Sequence, residues 1–586
     1  MSDPFFQKKR KRGAETRKRA APARKEHDES DGEDAMGAFD DMDLTHRFDD
    51  ASDDDGAAAA ETPAEAKVRL ARLYLEGLRD KEEDVDVVDG ADAAAADREN
   101  IAARLQKDVQ EAGGRVHVFV AQRLRAPAAD EVLALHGHRL AVTVARTSAR
   151  SPYLFSADKQ GRIVQWRLRD GCQVCVVPRR AAHAGDVHAA SRTSGAARRR
   201  ERERRPGSAF QGTLALGENE GHSAEVYALA VSDDGAHLVS GGRDRRIGVW
   251  RVGEAGTPLR WVRALTGHKD AIRGLAFRGE TLELFSASLD RTVKLFDVSQ
   301  LSYIETLFGH QEAIEDLSCL RAERAVTAGG RERTCRLWKI REESQLVFRG
   351  GTRSKVQALL EGGDLIDTHD KNEVHEGSLD CVAMIDDHHF VSGSDAGTLS
   401  LWSIAKKKPL FSLPAAHGFD VRTSETEGVQ RRARYITSVA ALPYGDVFAS
   451  GSWDGEIRVW ALDAALQRFA PLFTIPAHGV VNSLQLVTPT VERAEDYPVH
   501  PGRWRRRGGL GAPLAAPDAS HGSGLPPMAD RFAAVQRDPA TGRVLGHKEC
   551  IPPLLIAGIG QERKADRYFT LPDAVPGTLV VPLWLS

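Results

Sequence analysis

The sequence predicts an all-β fold made of one unit repeated seven times, and three observations predict it. A histidine loop precedes an aromatic residue at a fixed interval: His138 to Trp166, His222 to Trp250, His268 to Phe296 and His310 to Trp338 are each 28 residues apart. Each aromatic closes a similar phrase, as in Leu238-Val-Ser-Gly-Gly-Arg-Asp-Arg-Arg-Ile-Gly-Val-Trp250, where two β-rich runs flank a turn rich in Gly and Asp. Unit starts recur at His138, His222, His268, His310, His375, His417 and His478, with Gly or Ala before six of them and Val374 before His375. The sixth unit is longer: His417 to Trp460 spans 43 residues because of a polar insertion around residues 420–434.

Taken in chain order, the first 60 or so residues are set apart by charge. Residues 1–25 carry ten Lys/Arg against Asp3 and Glu15, whereas residues 26–65 carry sixteen Asp/Glu against Arg47. The two blocks are worth +8 and −15, so the whole-chain charge of −3 leaves the remainder at about +4. Blocks of like charge repel themselves and bury no apolar surface, which predicts disorder for residues 1–60. Within the basic block, Lys8-Lys9-Arg10-Lys11-Arg12 and Arg17-Lys18-Arg19 resemble a bipartite nuclear-import signal. Thr62-Pro63-Ala64-Glu65 then combines an N-cap hydroxyl, proline at the first helical position and a glutamate that completes a capping box. A helix follows, with Val68, Ala71, Leu75 and Leu78 on one stripe and Leu70, Leu73 and Tyr74 on another. A second helix is predicted over residues 96–111, ending at Gly113-Gly114. Residues 61–128 therefore form a helical segment ahead of the repeats, and residues 131–135 supply a strand to close the repeat ring.

The repeat unit resembles the WD40 repeat, whose unit is four antiparallel strands forming one propeller blade. That resemblance implies a seven-bladed β-propeller over residues 129–586, interrupted by insertions near 178–215, 418–434 and 489–530. In the last blade the strands lie near 480–487, 554–560 and 578–583. The resemblance also assigns a buried network to His222, His268 and His310 with Asp244, Asp290 and Asp454, each joined by a serine and the closing tryptophan. Glu332 takes the acidic position in the fourth blade, Gln160 in the first and Ala396 in the fifth. A catalytic triad occurs once, whereas this set recurs around the ring, so its role is structural.

The sequence holds no P-loop, no HExxH and no Gly-x-Ser-x-Gly elbow, and the chain is not expected to be an enzyme. Six cysteines are too few for a disulfide scaffold, and Cys172-Gln-Val-Cys175 has no second CxxC to complete a zinc shell. No cofactor, metal or small-molecule substrate is expected. Nor is a membrane: no apolar run approaches the roughly 18 residues needed to span one, and no secretory signal opens the chain, which predicts an intracellular protein.

Outside the repeats, Glu61-Thr-Pro-Ala-Glu-Ala-Lys-Val-Arg-Leu-Ala-Arg-Leu-Tyr-Leu-Glu-Gly-Leu78 resembles the segment before the propeller in the U3 small nucleolar RNA-associated WD-repeat family. Lys107-Asp-Val-Gln110, Leu124-Arg-Ala-Pro127 and Ala557-Gly-Ile-Gly-Gln-Glu562 are similar to that family too. The resemblance covers roughly residues 61–583. It implies a non-catalytic U3 snoRNP component of the nucleus and nucleolus that binds the box B/C region of U3 small nucleolar RNA. Its partners would be a small kink-turn-binding protein and other U3 snoRNP or small-subunit processome proteins. Its process would be pre-rRNA processing and small ribosomal subunit biogenesis. The alternative is a WD40 peptide-binding adaptor in another nuclear complex, on chromatin or in a ubiquitin ligase.

In WD40 domains the residue before the turn acid, and the residue after the apolar opening of the first strand, point to the narrow face of the ring. Here these positions include Lys159, Arg243, Arg331 and Trp453, and Tyr227 and Arg273. The basic members suit phosphates and the aromatics suit unpaired bases, which marks them as candidate RNA contacts. Two arginine-rich insertions, residues 192–205 and 501–509, are further candidates. The import reading is checked by replacing Lys8–Arg12 and Arg17–Arg19 with alanine in a tagged chain. Cytoplasmic retention is expected on microscopy, and undiminished nuclear accumulation refutes the assignment.

Overall fold

The computed structural model describes residues 117–128, 131–180, 220–253, 258–350, 377–424, 428–490, 551–564 and 574–585, with a few isolated positions beside them. The import clusters, both sequence-predicted helices, His375 and the two arginine-rich insertions lie outside the described residues. β1 (Leu133–Leu135) is followed in chain order by five four-stranded sheets, a two-stranded hairpin and two more four-stranded sheets, the last of which includes β1. Blade 1 comprises β2 (Val142–Thr147), β3 (Tyr153–Asp158), β4 (Ile163–Arg167) and β5 (Cys172–Val177). Blade 2 comprises β6 (Val226–Val231), β7 (His237–Gly242), β8 (Ile247–Arg251) and β9 (Arg260–Leu265). Blade 3 runs through β10 (Ile272–Phe277), β11 (Glu283–Ser288), β12 (Thr292–Asp297) and β13 (Ser302–Phe308). Blade 4 holds β14 (Ile314–Cys319), β15 (Arg324–Gly329), β16 (Thr334–Lys339) and β17 (Ser344–Arg349). Blade 5 holds β18 (Leu379–Met384), β19 (His389–Ser394), β20 (Leu399–Ser403) and β21 (Phe411–Leu413).

The insertion after blade 5 is an ordered antiparallel hairpin of β22 (Phe419–Ser424) and β23 (Gly428–Ala433), where the sequence suggests only a polar excursion. Blade 6 follows as β24 (Ile436–Ala441), β25 (Val447–Ser452), β26 (Glu456–Leu462) and β27 (Phe469–Pro476). Blade 7 combines β28 (Val480–Val487), β29 (Leu554–Gly560) and β30 (Gly577–Pro582) with β1, paired Leu133↔Val580, Ala134↔Leu579 and Leu135↔Thr578. The all-β, seven-bladed architecture and its closure by the strand ahead of the first repeat are those the sequence predicts.

Blades pack face to face, so most strands are buried on both sides and read as nearly continuous apolar runs. One core cluster joins Val239, Ile247 and Val249 of blade 2 to Ile272, Leu284 and Phe296 of blade 3. Trp166, Trp250, Trp402 and Trp460 are completely buried, and Phe390 stacks on Trp402 at 5.9 Å and 7°.

The indoles need an acceptor, and the blades supply one. In blade 2, Trp250 Nε1 donates to Ser240 Oγ (2.8 Å), which lies 2.7 Å from His222 Nε2, and His222 Nδ1 sits 2.9 Å from Asp244. Blade 6 repeats this with Trp460, Ser450, His417 and Asp454. In blade 3, Phe296 has no indole N–H, and Ser286 Oγ donates instead to Lys294 O while facing His268, which pairs with Asp290. Blade 4 uses Thr327 as the hydroxyl and Glu332 as the acid facing His310.

Two blades depart from the sequence expectation. In blade 1, Gln160 occupies the turn position, but His138 Nδ1 pairs with Asp158 (3.0 Å), two residues earlier. Asp158 also accepts the main-chain N–H groups of Gln160 and Arg162, so one carboxylate orders both the histidine and the turn. Among the described residues blade 7 shows no such network: Ala557 stands opposite Leu484, where blade 6 pairs Ser450 with Val439, so this position offers His478 no hydroxyl. In blade 5, Ser394 Oγ accepts the Thr398 N–H and orders a turn that has Ala396 in the acidic position.

Asp158→Ala is expected to cost about 1–3 kcal/mol in chemical denaturation, as is Asp290→Ala, because each leaves buried donors unpaired. Gln160→Ala is expected to be neutral, and equal losses at positions 158 and 160 would contradict the assignment. The acids also set a pH dependence. Burial pushes Glu332 up, but hydrogen bonds from His310, the Gln311 N–H and Thr334 outweigh it and hold the carboxyl at about 2. Burial lowers His310 below its ordinary value. A depressed carboxylate stabilises above its unfolded value and loses that contribution as pH falls through its folded value, and a depressed histidine also lowers stability as pH falls below its ordinary value, because the unfolded chain takes up the proton first. The melting temperature is therefore expected to fall from pH 6.5 through 4.5 toward 2, less steeply in Glu332→Gln.

Candidate nucleic-acid interface

Every blade carries a register shift near the start of its innermost strand, as between Ile272 and Gly274 in β10 and between Val481 and Ser483 in β28. The other five shifts fall at the matching places in β2, β6, β14, β18 and β24. A bulge re-aims the extra side chain. The seven residues concerned are Thr143, Tyr227, Arg273, Glu315, Asp380, Thr437 and Asn482, one per blade at the mouth of the central channel. Three of them stitch neighbouring blades: Thr143 Oγ1 donates to Val226 O (2.6 Å), Thr437 Oγ1 to Val481 O (2.5 Å) and Asn482 Nδ2 to Val142 O (2.9 Å). Tyr227 OH donates to Glu225 (2.5 Å), and the Arg273 guanidinium lies 4.6 Å above the Tyr227 ring with Nε 3.5 Å from Glu315.

The chain leaving β29 crosses this mouth. Glu562 O accepts from Asn482 Nδ2 (2.9 Å), and the Lys564 N–H donates to Asn482 Oδ1 (2.7 Å). Glu562 pairs with Lys159 of blade 1 (2.8 Å), while Arg563 pairs with Asp380 of blade 5 and lies 5.2 Å from the Tyr435 ring. Residues 561–564 thus bring two cations to the blades that contribute Glu315, Asp316 and Asp380. Nothing in the sequence marks this segment as a mouth-crossing strap, since its partners lie 80 to 403 residues away along the chain.

The sequence-predicted contact residues divide accordingly. Lys159, Tyr227 and Arg273 are expected from sequence to contact RNA on the narrow face of the ring, but all three are buried and committed to internal partners. The bulge and the strap turn them inward. Trp453 is half-buried beneath the Arg434 guanidinium (5.7 Å). Arg331 is exposed, and Arg243 is half exposed beside Glu225 at 3.5 Å.

The structure adds basic residues that the sequence reading misses. Arg245, Arg291 and Arg333 each follow a turn acid in blades 2, 3 and 4 and hold left-handed backbone at φ 63°, 68° and 54°. Blades 1, 5 and 6 place Gly161, Gly397 and Gly455 there, the residue that adopts this conformation without strain. Their signal is the repeated Asp-Arg or Glu-Arg pair, legible once the turn register is fixed. Arginines at positions 243, 245, 291, 331 and 333 thus run across three consecutive blades on the face carrying the histidine loops. Among the described residues no group of three His, Cys, Asp or Glu side chains is placed to hold a metal, none of the described cysteines forms a disulfide, and no helix is long and apolar enough to cross a membrane.

Comparison with known proteins places this geometry. The WD domain, G-beta repeat family matches residues 214–251, 259–297 and 429–461, which cover most of blades 2 and 3 and the centre of blade 6. The chain is 31% identical to ribosomal RNA-processing protein 9 of Saccharomyces cerevisiae, covering 83% of this chain and 92% of that protein. The chain belongs to the U3 snoRNP-associated WD-repeat family. It is 35% identical to human U3 small nucleolar RNA-interacting protein 2, over 72% of this chain and 75% of that protein. The solved structure of U3-55K superposes with a TM-score of 0.54 at 29% identity, covering 78% of this chain and all of that one. Named relatives in this family include a ribosomal RNA-processing protein and U3 snoRNP-associated proteins.

Proposed function

We propose that this chain is a non-catalytic, nucleolar component of the U3 snoRNP that binds the box B/C region of U3 small nucleolar RNA beside a small kink-turn-binding protein. In that role it serves pre-rRNA processing and small-subunit assembly. The similarity to a ribosomal RNA-processing protein and to a U3 small nucleolar RNA-interacting protein, over most of the chain, carries the reading. The arc of arginines on blades 2–4 supports it, because planar guanidinium groups on an exposed rim suit phosphate oxygens. The rival reading, an adaptor that takes a peptide at the channel mouth, is disfavoured because Gln561–Lys564 already occupies that mouth.

Arg243 and Arg331 are the accessible members of the sequence-predicted set, and removing an arginine that binds a phosphate lowers the salt slope of binding by about 0.7–0.9. Arg243→Glu with Arg331→Glu is expected to abolish U3 RNA retention in a salt titration without lowering the melting temperature. Normal binding by the double variant would move the interface elsewhere, with the arginine-rich insertions as the next candidates.

A further inference from the structure

The central channel holds charges that the RNA reading does not use. Its cavity is lined by the inner strands of blades 1, 2, 3, 4, 6 and 7 together with Lys564. Arg146, Arg273 and Lys564 all line it, whereas Asp316 is the single carboxylate among the lining residues. That carboxylate is already engaged by the main-chain N–H groups of Leu317 (2.9 Å) and Val382 (3.1 Å). Arg146 spends one terminal nitrogen on Leu484 O (2.6 Å).

Arg273 is the informative member. Its side chain is 8% exposed, its guanidinium lies against Tyr227, and its Nε and one terminal nitrogen are buried with no hydrogen-bond partner. Glu315 stands 3.5 Å from Nε, near enough to attract but outside hydrogen-bond geometry. Leaving guanidinium donors unpaired in the interior costs free energy, and burying cations without matching anions costs more. Stacking on an aromatic face leaves the planar edge of an arginine free for a bidentate acceptor. Burial lowers Arg146 and Lys564 from their ordinary values, opposed by Asp316 at both and by Glu315 at Lys564.

We infer that the central channel is a binding site for a small tetrahedral oxyanion of the phosphate class, held by Arg273 with Arg146 and Lys564. The Ser483 hydroxyl, which lines the same cavity and accepts the Ala145 N–H, keeps its own proton for one of the remaining oxygens. The site is distinct from the exposed arginine arc and does not depend on the RNA-binding reading. Its position behind the strap favours a free ion over a polymer backbone.

Calorimetric titration of the full chain with inorganic phosphate, at ionic strength held constant with chloride, tests this. A saturable isotherm is expected, with a rise in melting temperature that follows phosphate and not chloride. Arg273→Met is expected to remove the isotherm. Arg273→Lys, which keeps the charge but not the planar fork, is expected to weaken binding about tenfold. The melting temperature of each variant without phosphate reports whether it folds, and Lys564→Met provides an independent second variant. A second arm saturates the protein with U3 RNA: phosphate retained identifies a free ion, and phosphate released identifies an RNA phosphate as occupant of the same site. Absence of a saturable isotherm, or equal affinity in wild type, Arg273→Met and Lys564→Met, overturns the inference.

Discussion

Closure of the ring is the constraint on which the other features rest. β1 pairs with β30, so residues 133–135 and 578–580 share one sheet although more than four hundred residues separate them. An open array of blades would leave a bare strand edge and an unpaired inner face at each end, which closure removes. The ends are fastened further. Arg125 N–H donates to Trp584 O, Leu124 bridges Leu585, and Arg125 pairs with the buried Glu131. Ahead of them, Val118 bridges Gly445, while Val120 and Ala121 donate their N–H groups to Asp446 of blade 6. Loop-closure entropy grows only slowly with length, which makes the long excursion between β28 and β29 tolerable inside a blade.

Within the closed ring one polar requirement recurs, and the chain meets it with different residues. A buried indole or histidine must find partners, but the partner can be Ser or Thr, Asp or Glu, and can sit at either of two turn positions. What is kept is the position of an oxygen, not the identity of a residue. Blade 7 shows the limit: with Ala557 at the hydroxyl position and strand β1 supplied from elsewhere, its stability comes from an apolar core that includes Leu484, Leu555, Ile559 and Val581.

The same ring geometry explains why charge near the channel is inward and charge on the outer turns is outward. The bulge in each inner strand aims one side chain per blade at the axis, and the strap over the mouth matches Lys159 with Glu562 and Asp380 with Arg563. Basic residues beside the turn acids of blades 2–4 stay at the rim, where Arg243 pairs with Glu225 and Arg291 donates to Gln311 O. One basic surface and one basic interior arise from neighbouring positions of the same repeat.

By itself the sequence determined the number of blades, the strand that closes the ring and most of the buried networks. Each rests on local periodicity: a 28-residue interval, a β-rich run, a turn and a closing aromatic are written in consecutive residues. The family was also legible, from phrases outside the repeats. Tertiary structure alone decided that Asp158 rather than Gln160 serves His138, since the choice depends on how far a side chain reaches across a turn. It alone decided that Lys159, Tyr227 and Arg273 face inward, because a one-residue bulge re-aims the last two and the partner of Lys159 lies 403 residues away. Hairpin β22–β23 looks like a polar excursion in sequence because its alternation is short and its charges dominate. Repeat chemistry is local and so can be read along the chain; orientation toward an axis exists only after the ring has closed.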